Sequence, residues 1–339
     1  LTEELLREGH EVTLFASGDS VTSGQLVGTG KVSLREAGTM GEGAVHHILQ
    51  LERLFREVAR FDIVHFHVDY QHFPFSRRQR EPHLTTLHGR LDLPELIPLY
   101  QEYAEMPVCS ISDAQRRPLP WLRWQGTVLH GLPFDLYRFH PRSRGYLAFL
   151  GRISPEKGLD RAIAIAEQTG RTLRIAAKID PADRDYYQRE IAPLMAASRR
   201  VEFLGEIGEK EKNDFLGGAD ALLFPINWPE PFGLVMIEAM ACGTPVIAFD
   251  GGSVREVIVP GENGFIAGSV PEAAARVGEL SSLSRLQCRR RFERGFSARR
   301  MARDYVRLYE KVAQPFGSLR RERRGSRGRV QRGSELSAS

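Results

Sequence analysis

Short, almost uninterrupted apolar runs alternate with stretches of helical periodicity along most of this 339-residue chain. That alternation restricts the fold more than any other feature. A strand that is apolar throughout, not only at every second residue, has both of its faces covered. Strands joined by helical crossovers lie parallel. A first series of strand patterns occupies 62–68, 84–88, 108–112 and 127–130, preceded by one at 11–17. A second series occupies 146–150, 173–177, 201–204, 221–224, 245–249 and 264–266. Helical patterns at 160–169, 183–197, 209–217 and 234–242 separate the members of the second series. The segment 133–145, rich in aromatics, Pro and Arg, reads as the hinge between the two series. The chain is therefore predicted to be α/β, with two Rossmann-like doubly wound parallel-sheet domains facing across a cleft. Ligands of such sheets bind beyond the carboxyl ends of the strands.

Within that frame, one segment carries the chemistry: Trp228, Pro229, Glu230, Pro231, Phe232, Gly233, Leu234 and onward to Glu238. Two prolines flank Glu230, so it cannot lie inside a helix and is placed on an extended loop. Helix formers follow Gly233, so a helix is predicted to start between Phe232 and Leu234. The first amides of a helix lack internal partners, and that end is electropositive. A loop carboxylate, a second carboxylate about one turn into the helix, and free amides between them suit a polyhydroxylated ligand that carries phosphate. A second basic segment opens the second series. Leu150, Gly151, Arg152, Ile153, Ser154, Pro155, Glu156, Lys157 and Gly158 run from a strand end through a loop to a helix start. A guanidinium and an ammonium there can neutralise a pyrophosphate.

These residues resemble the Glu-x7-Glu motif of the retaining glycosyltransferases of family 4, which have the GT-B fold. The following Cys242-Gly243-Thr244-Pro245-Val246-Ile247-Ala248 and Gly251-Gly252-Ser253-Val254-Arg255-Glu256 extend the resemblance. It implies that Arg152 and Lys157 hold the donor diphosphate and that Glu230 contacts donor-sugar hydroxyls. It further implies that the amides of Phe232, Gly233 and Leu234 meet sugar and phosphate oxygens, and that Glu238 accepts from ribose hydroxyls. His88, at the end of strand 84–88 and followed by Gly89, resembles the family's active-site histidine. The catalytic set implied is His88, Glu230, Arg152 and Lys157. His67, Asp69 and Tyr70 are candidates on the acceptor side.

The resemblance also divides the chain. Residues 1–140 are expected to form an acceptor domain and 141–296 a nucleotide-sugar domain. A helix at 297–312 is expected to cross back to the first domain, and 313–339 to be a disordered basic tail. A doubly wound domain opens with a strand and a Gly-rich turn, whereas this chain opens with Leu1 inside a helical pattern at 1–9. It is therefore read as truncated at its N-terminus, without its first strand.

The partners implied are a nucleotide-sugar donor and a carbohydrate, lipid-linked or small-molecule hydroxyl acceptor. No cofactor and no metal is expected, because in GT-B enzymes positive side chains and a helix start serve the leaving diphosphate. His65, His67, His72 and Asp69 form a cluster that a metal reading has to consider. As strand neighbours, His65 and His67 share one face, and they are read as sheet and cleft-lining residues. Asp183-Arg184-Asp185 matches the metal-binding Asp-x-Asp of GT-A enzymes, but after Pro181 it is read as helix capping.

Composition bears on the remaining classes. The hydrophobic share is 42% and the charged share 27%, as in ordinary globular chains. Three unpaired cysteines and no bilayer-length apolar run fit a cytoplasmic protein with reduced thiols. Seven Arg and two Glu between Leu319 and Ser339 account for the formal charge of +4, leaving a nearly neutral body. No nucleic-acid partner is expected, and the basic tail allows at most a weak peripheral membrane contact. Other GT-B activities (phosphorylase, epimerase) and an inactive, binding-only fragment remain as alternatives. A serine hydrolase lacks its Gly-x-Ser-x-Gly elbow here. An oxidoreductase lacks its dinucleotide fingerprint.

Overall fold

The computed structural model describes residues 1–34, 36–38 and 43–316. The second series of strands forms one parallel sheet of six: β7 (Tyr146–Arg152), β8 (Thr172–Lys178), β9 (Val201–Gly205), β10 (Ala219–Phe224), β11 (Val246–Phe249) and β12 (Gly264–Ala267). Their spatial order is β12-β11-β10-β7-β8-β9. From β7 the chain winds outward one way to β9, and from β10 it winds the other way to β12. The direction of winding reverses between β7 and β10, and a doubly wound sheet offers its ligand crevice at that point. Buried side chains cover both faces, with Leu147, Phe149, Leu173 and Ile175 on one and Ala148, Leu222, Met236 and Met240 on the other. This is the reason the inner strands read as continuously apolar, whereas the edge strand β9 leaves Phe203 and Leu204 exposed.

The first series forms a parallel sheet of four in the order β3 (Val64–Phe66), β4 (His83–Thr86), β5 (Val108–Ser110) and β6 (Trp124–Thr127). A separate parallel pair, β1 (Thr13–Ala16) with β2 (Gln25–Gly28), does not join that sheet. The strand predicted at 127–130 lies about three residues earlier. It stops because the carbonyls of Leu129 and His130 accept from the Arg300 guanidinium, at 2.7 and 2.9 Å, and not from a strand neighbour. The strand β2 and the helices Gly43–Glu57, Val270–Gly278 and Arg285–Gly295 were not anticipated.

The single helix predicted over 183–197 is segmented. A 3-10 turn over Pro181–Asp183 and a turn of α-helix lead into a π-helical stretch at Tyr187–Ile191, then Ala192–Ala197. Pro193 brings no N–H to the ladder, and widening of the preceding turn is a usual response. Asp183 does not cap this element with its side chain. Asp180 does, accepting from the Ala182 amide.

The linker between the sheets is clamped. Arg289, buried on the Arg285–Gly295 helix, donates to the carbonyls of Phe134, Tyr137 and Ala241. The helix Ala298–Ala313 then returns to the first sheet, where Thr86 donates to the Tyr305 hydroxyl and Tyr309 bonds His65. It takes in Ala313, and Gln314–Phe316 add a 3-10 turn, so the tail expected from 313 begins no earlier than 317. Residues 317–339 lie outside the described residues. Cys109, Cys242 and Cys288 are buried and free. Among the described residues no helix is long and apolar enough to cross a membrane.

Candidate active site

A cavity of about 250 Å³ opens where the winding of the larger sheet reverses. Its walls include Gly151 and Arg152 from the end of β7, Leu223 and Phe224 from β10, then Lys157, Glu230, Gly233, Leu234 and Val235. The loop 229–233 is non-helical, as its prolines require, but it is bent, with the Glu230 amide donating back to the Trp228 carbonyl at 2.9 Å, and the helix Leu234–Ala241 starts directly after it. Gly233 makes that turn with φ +77°, in the left-handed region open to glycine. A Cβ there would lie 2.8 Å from the Met236 methyl and 2.9 Å from the Phe224 ring.

Glu230 is buried, with only 11% of its side chain exposed. Its carboxylate accepts from the Lys157 ammonium and, at 3.1 Å, from the Trp228 indole N–H. The Lys157 ammonium also lies 4.8 Å from the centre of the Trp228 ring. A carboxylate this enclosed needs a paired cation, and the loop–strand arrangement supplies one from 73 residues away. Arg152 is half-exposed and ion-paired with Glu156; its Nε lies 3.2 Å from Asp183. The Arg152–Asp183 contact is a close ion pair without an aligned hydrogen bond. Asp183 thus balances Arg152, in place of the capping role predicted for it.

Glu238 is one turn into the helix but lies off the cavity wall. It is 3.4 Å from the Lys212 ammonium. Burial, partly offset by Lys212, raises the Glu238 carboxyl above its ordinary range. Burial opposes the Lys212 charge, but Glu238 and Glu209 outweigh it and raise that group as well.

The first sheet contributes a file of histidines. His67 Nδ1 and His88 Nε2 are 2.8 Å apart, and the His88 and His130 rings stack at 5.4 Å and 4°. His130 meets the edge of the buried Phe232 ring at 4.9 Å and 87°. Phe232, predicted to act through its amide, thus also makes a contact between the two domains with its ring. His130 was missed in the sequence, although it too stands just past the carboxyl end of a strand. Burial lowers all three imidazoles, His130 to about 4 and His67 to about 3. His67 is exposed at its surface, and the lowered values leave all three rings neutral at physiological pH.

Asp69 accepts from the His88 backbone N–H at 3.2 Å. Its φ of +48° is the only positive value among the described non-glycine residues, and such strain gathers at functional sites. The partly buried Tyr70 ring sets perpendicular to Tyr100 at 6.2 Å and packs against the first domain's core. His65 bonds Tyr309 and Thr86, and its ring lies 4.1 Å from that of His67. His72 is fully buried between Ser76 and Thr85, bonded to each at 2.7 Å. Among the described residues no three His, Cys, Asp or Glu converge as a metal site.

His72 supports a stability prediction. Burial holds its pKa well below 6.5 in the folded chain, whereas the unfolded chain titrates near 6.5. Below that pH the unfolded state binds the additional proton, so stability falls as pH falls, by about 1.4 kcal/mol per pH unit for one such histidine. Urea unfolding from pH 7.5 to 5 is expected to show this loss. His72→Gln is expected to remove about one proton from the slope; an unchanged slope would contradict the assignment.

Two family models match the chain: Glycosyltransferase Family 4 over residues 1–184 and Glycosyl transferases group 1 over residues 138–293. A phosphatidyl-myo-inositol mannosyltransferase of Propionibacterium freudenreichii is 30% identical over 173 residues, covering 48% of this chain and 40% of that protein. A D-inositol 3-phosphate glycosyltransferase of Rhodococcus erythropolis is 33% identical over 154 residues, covering 39% and 35% respectively. The matches thus span less than half the length of these curated relatives. Among solved structures, AviGT4, a glycosyltransferase involved in avilamycin A biosynthesis, superposes with TM-score 0.68 at 24% identity, covering 92% of this chain and 87% of that one. Anabaena Alr3699/HepE in complex with UDP and glucose gives TM-score 0.67 at 18% identity, covering 93% of each chain. At these identities the superpositions speak for the fold alone, which is the α/β GT-B architecture of two Rossmann-like domains. With more than half of its residues under the first of the two family models, the chain belongs to glycosyltransferase family 4.

Proposed function

We propose that the chain transfers a sugar from a nucleoside-diphosphate sugar to a hydroxyl acceptor, with retention of configuration at the anomeric carbon. One observation carries this reading. Arg152, Lys157, Glu230 and the first amides of the Leu234–Ala241 helix converge on a single cavity at the winding reversal of the second sheet. The file of neutral histidines stands beside it.

In this reading the donor diphosphate lies between Arg152, Lys157 and the helix start. These groups are in place before reaction, so they stabilise charge as it grows on the leaving group without reorganising. They do so in place of a metal. Glu230, oriented by Lys157 and Trp228, accepts from donor-sugar hydroxyls, and Glu238 accepts from ribose hydroxyls further along the helix. The bond from the anomeric carbon to the diphosphate oxygen breaks, and the acceptor oxygen bonds the same face of the sugar. The acceptor proton passes to the departing phosphate oxygen.

His88, held by His67 and by the Asp69 contact to its amide, is neutral and positions sugar or acceptor hydroxyls. HepE was solved with UDP and glucose, and two relatives carry inositol in their names. UDP-sugars as donors and cyclitol hydroxyls as acceptors are therefore the first to try, ahead of other carbohydrate, lipid-linked or small-molecule acceptors.

The test is a thermal-shift screen against UDP-, GDP- and ADP-sugars. A donor at 100 times its Kd stabilises the native state by about 2.7 kcal/mol, and no shift with any nucleotide sugar would count against the reading. His88→Ala is expected to lower kcat by roughly one to two decades, the loss of a hydrogen bond at the reacting centre, with Tm close to wild type. Full activity in the variant would return His88 to a structural role.

A further inference from the structure

Beneath the proposed donor site the two domains are joined by a small set of polar contacts, buried at Ser112 and more open at Glu256. Three consecutive carbonyls of the loop that carries Glu230 are each held. Ser253 N–H donates to the Glu230 carbonyl at 3.0 Å and its hydroxyl to the Phe232 carbonyl at 2.7 Å. The carbonyl between them, that of Pro231, accepts from Ser112 Oγ at 2.6 Å. Ser253 belongs to the second domain, whereas Ser112 comes from the first, 119 residues away. Both side chains are wholly buried, where a hydroxyl must find a partner.

Ser112 is itself fixed from two sides. Glu256, on the short helix that follows Ser253, accepts from the amides of Asp113 and Ala114, each at 2.8 Å, and so ties the residues after Ser112 to the second domain. Gln115, also buried, donates its amide N–H to Ser112 Oγ at 3.0 Å. The Gln115 side chain donates to the carbonyls of Leu87 at 3.0 Å and Gly89 at 2.8 Å, the two residues that flank His88. A continuous hydrogen-bonded path therefore runs from the backbone around His88, through Gln115 and Ser112, to the backbone beside Glu230.

We propose that Ser112, Gln115 and Glu256 are positioning residues that set the spacing between His88 and the Glu230 loop by joining the two domains at the base of the cleft. None of the three lines the donor cavity. They act through the loop carbonyls and through the turn that ends β4. This rests on the reading of the cavity as a donor site. Arg152, Lys157 and the helix amides all belong to the second domain and hold the nucleotide without the latch. Loss of the latch is therefore expected to reduce turnover and leave nucleotide affinity intact.

The experiment compares wild type with Ser112→Ala, Glu256→Ala and the milder Glu256→Gln. Amide hydrogen exchange of residues 228–234 is measured along with donor kinetics and nucleotide affinity. Exchange in 228–234 is expected to rise about tenfold in the alanine variants, the signature of local opening. Turnover is expected to fall about tenfold with nucleotide affinity within about twofold of wild type, a loss confined to the reacting geometry. Glu256→Gln keeps one acceptor oxygen and is expected to fall between wild type and Glu256→Ala. Unchanged exchange across 228–234 would overturn the proposal. So would a parallel fall of Tm, nucleotide affinity and turnover, which marks general destabilisation. A wild-type protein that binds no nucleotide would sink the donor-site reading instead, and the exchange data would still decide the latch.

Discussion

Lys157→Ala is expected to lower kcat/KM for sugar transfer by about two to three decades, the largest effect of any single side chain in the site. Two losses add. The ammonium no longer meets the leaving diphosphate, and a charged hydrogen bond of that kind is worth about 1.5–3 kcal/mol. Its removal also leaves the Glu230 carboxylate, 11% exposed, with the Trp228 indole N–H as its remaining side-chain hydrogen-bond donor among the described residues. A buried carboxylate left without its cation turns toward water, and that change removes it from the sugar hydroxyls. Arg152→Ala is expected to cost less, about one decade, because its guanidinium is half-exposed and already shared between Glu156 and Asp183. Steady-state kinetics with a donor identified by thermal shift measure both variants. A Lys157→Ala enzyme within threefold of wild type would contradict the role.

Gly252→Ala is expected to be nearly as damaging, without touching any charged group. Gly252 has φ +52°, and a Cβ there would run into the carbonyl oxygen and amide nitrogen of Glu230 and lie 2.7 Å from the Pro229 carbonyl carbon. All of these are backbone atoms, so no flexible side chain can yield. The left-handed strain costs about 1 kcal/mol, and overpacking adds typically 1–3 kcal/mol. The cheaper escape is to push the Glu230 loop away, which moves its carboxylate off Lys157. A fall of several degrees in Tm and a loss of at least tenfold in kcat/KM are expected together. Calorimetry and initial rates measure them, and a variant with wild-type Tm and rate would show that the loop is not held as described.

The sheet strands were legible wherever burial is two-sided. Residues 146–150 and 221–224 are continuously apolar because helices cover both faces, and periodicity carries that information locally. The strand β2 was not legible: Gln25–Gly28 is short, ends in glycine and pairs only with β1. The helix Arg285–Gly295 was hidden for the opposite reason. Its buried face includes Arg289, whose guanidinium serves the carbonyls of the linker, so the face reads as charged.

In the site, Glu230 was legible because two prolines dictate its loop, and Arg152 and Lys157 because they follow a strand end. His130 was open to the same rule that singled out His88. The direct pairing of Lys157 with Glu230 was not legible, nor was the latch through Ser112, Gln115 and Glu256. Those contacts join residues up to 143 positions apart, and no local pattern encodes such a distance. Tyr70 and Asp183 show the converse. Their residue types suited the predicted roles, but tertiary packing set the Tyr70 ring against Tyr100 and paired Asp183 with Arg152.

The most direct measurement is a crystal structure of the protein with a bound nucleoside diphosphate, chosen by the thermal-shift screen from UDP, GDP and ADP. The diphosphate is expected between Arg152 and Lys157, accepting from the first amides of the Leu234–Ala241 helix, with the nucleoside running along that helix toward Glu238. A nucleotide seated against the first sheet, or anywhere that leaves Arg152 and Lys157 paired only with their carboxylates, would contradict the proposed donor site.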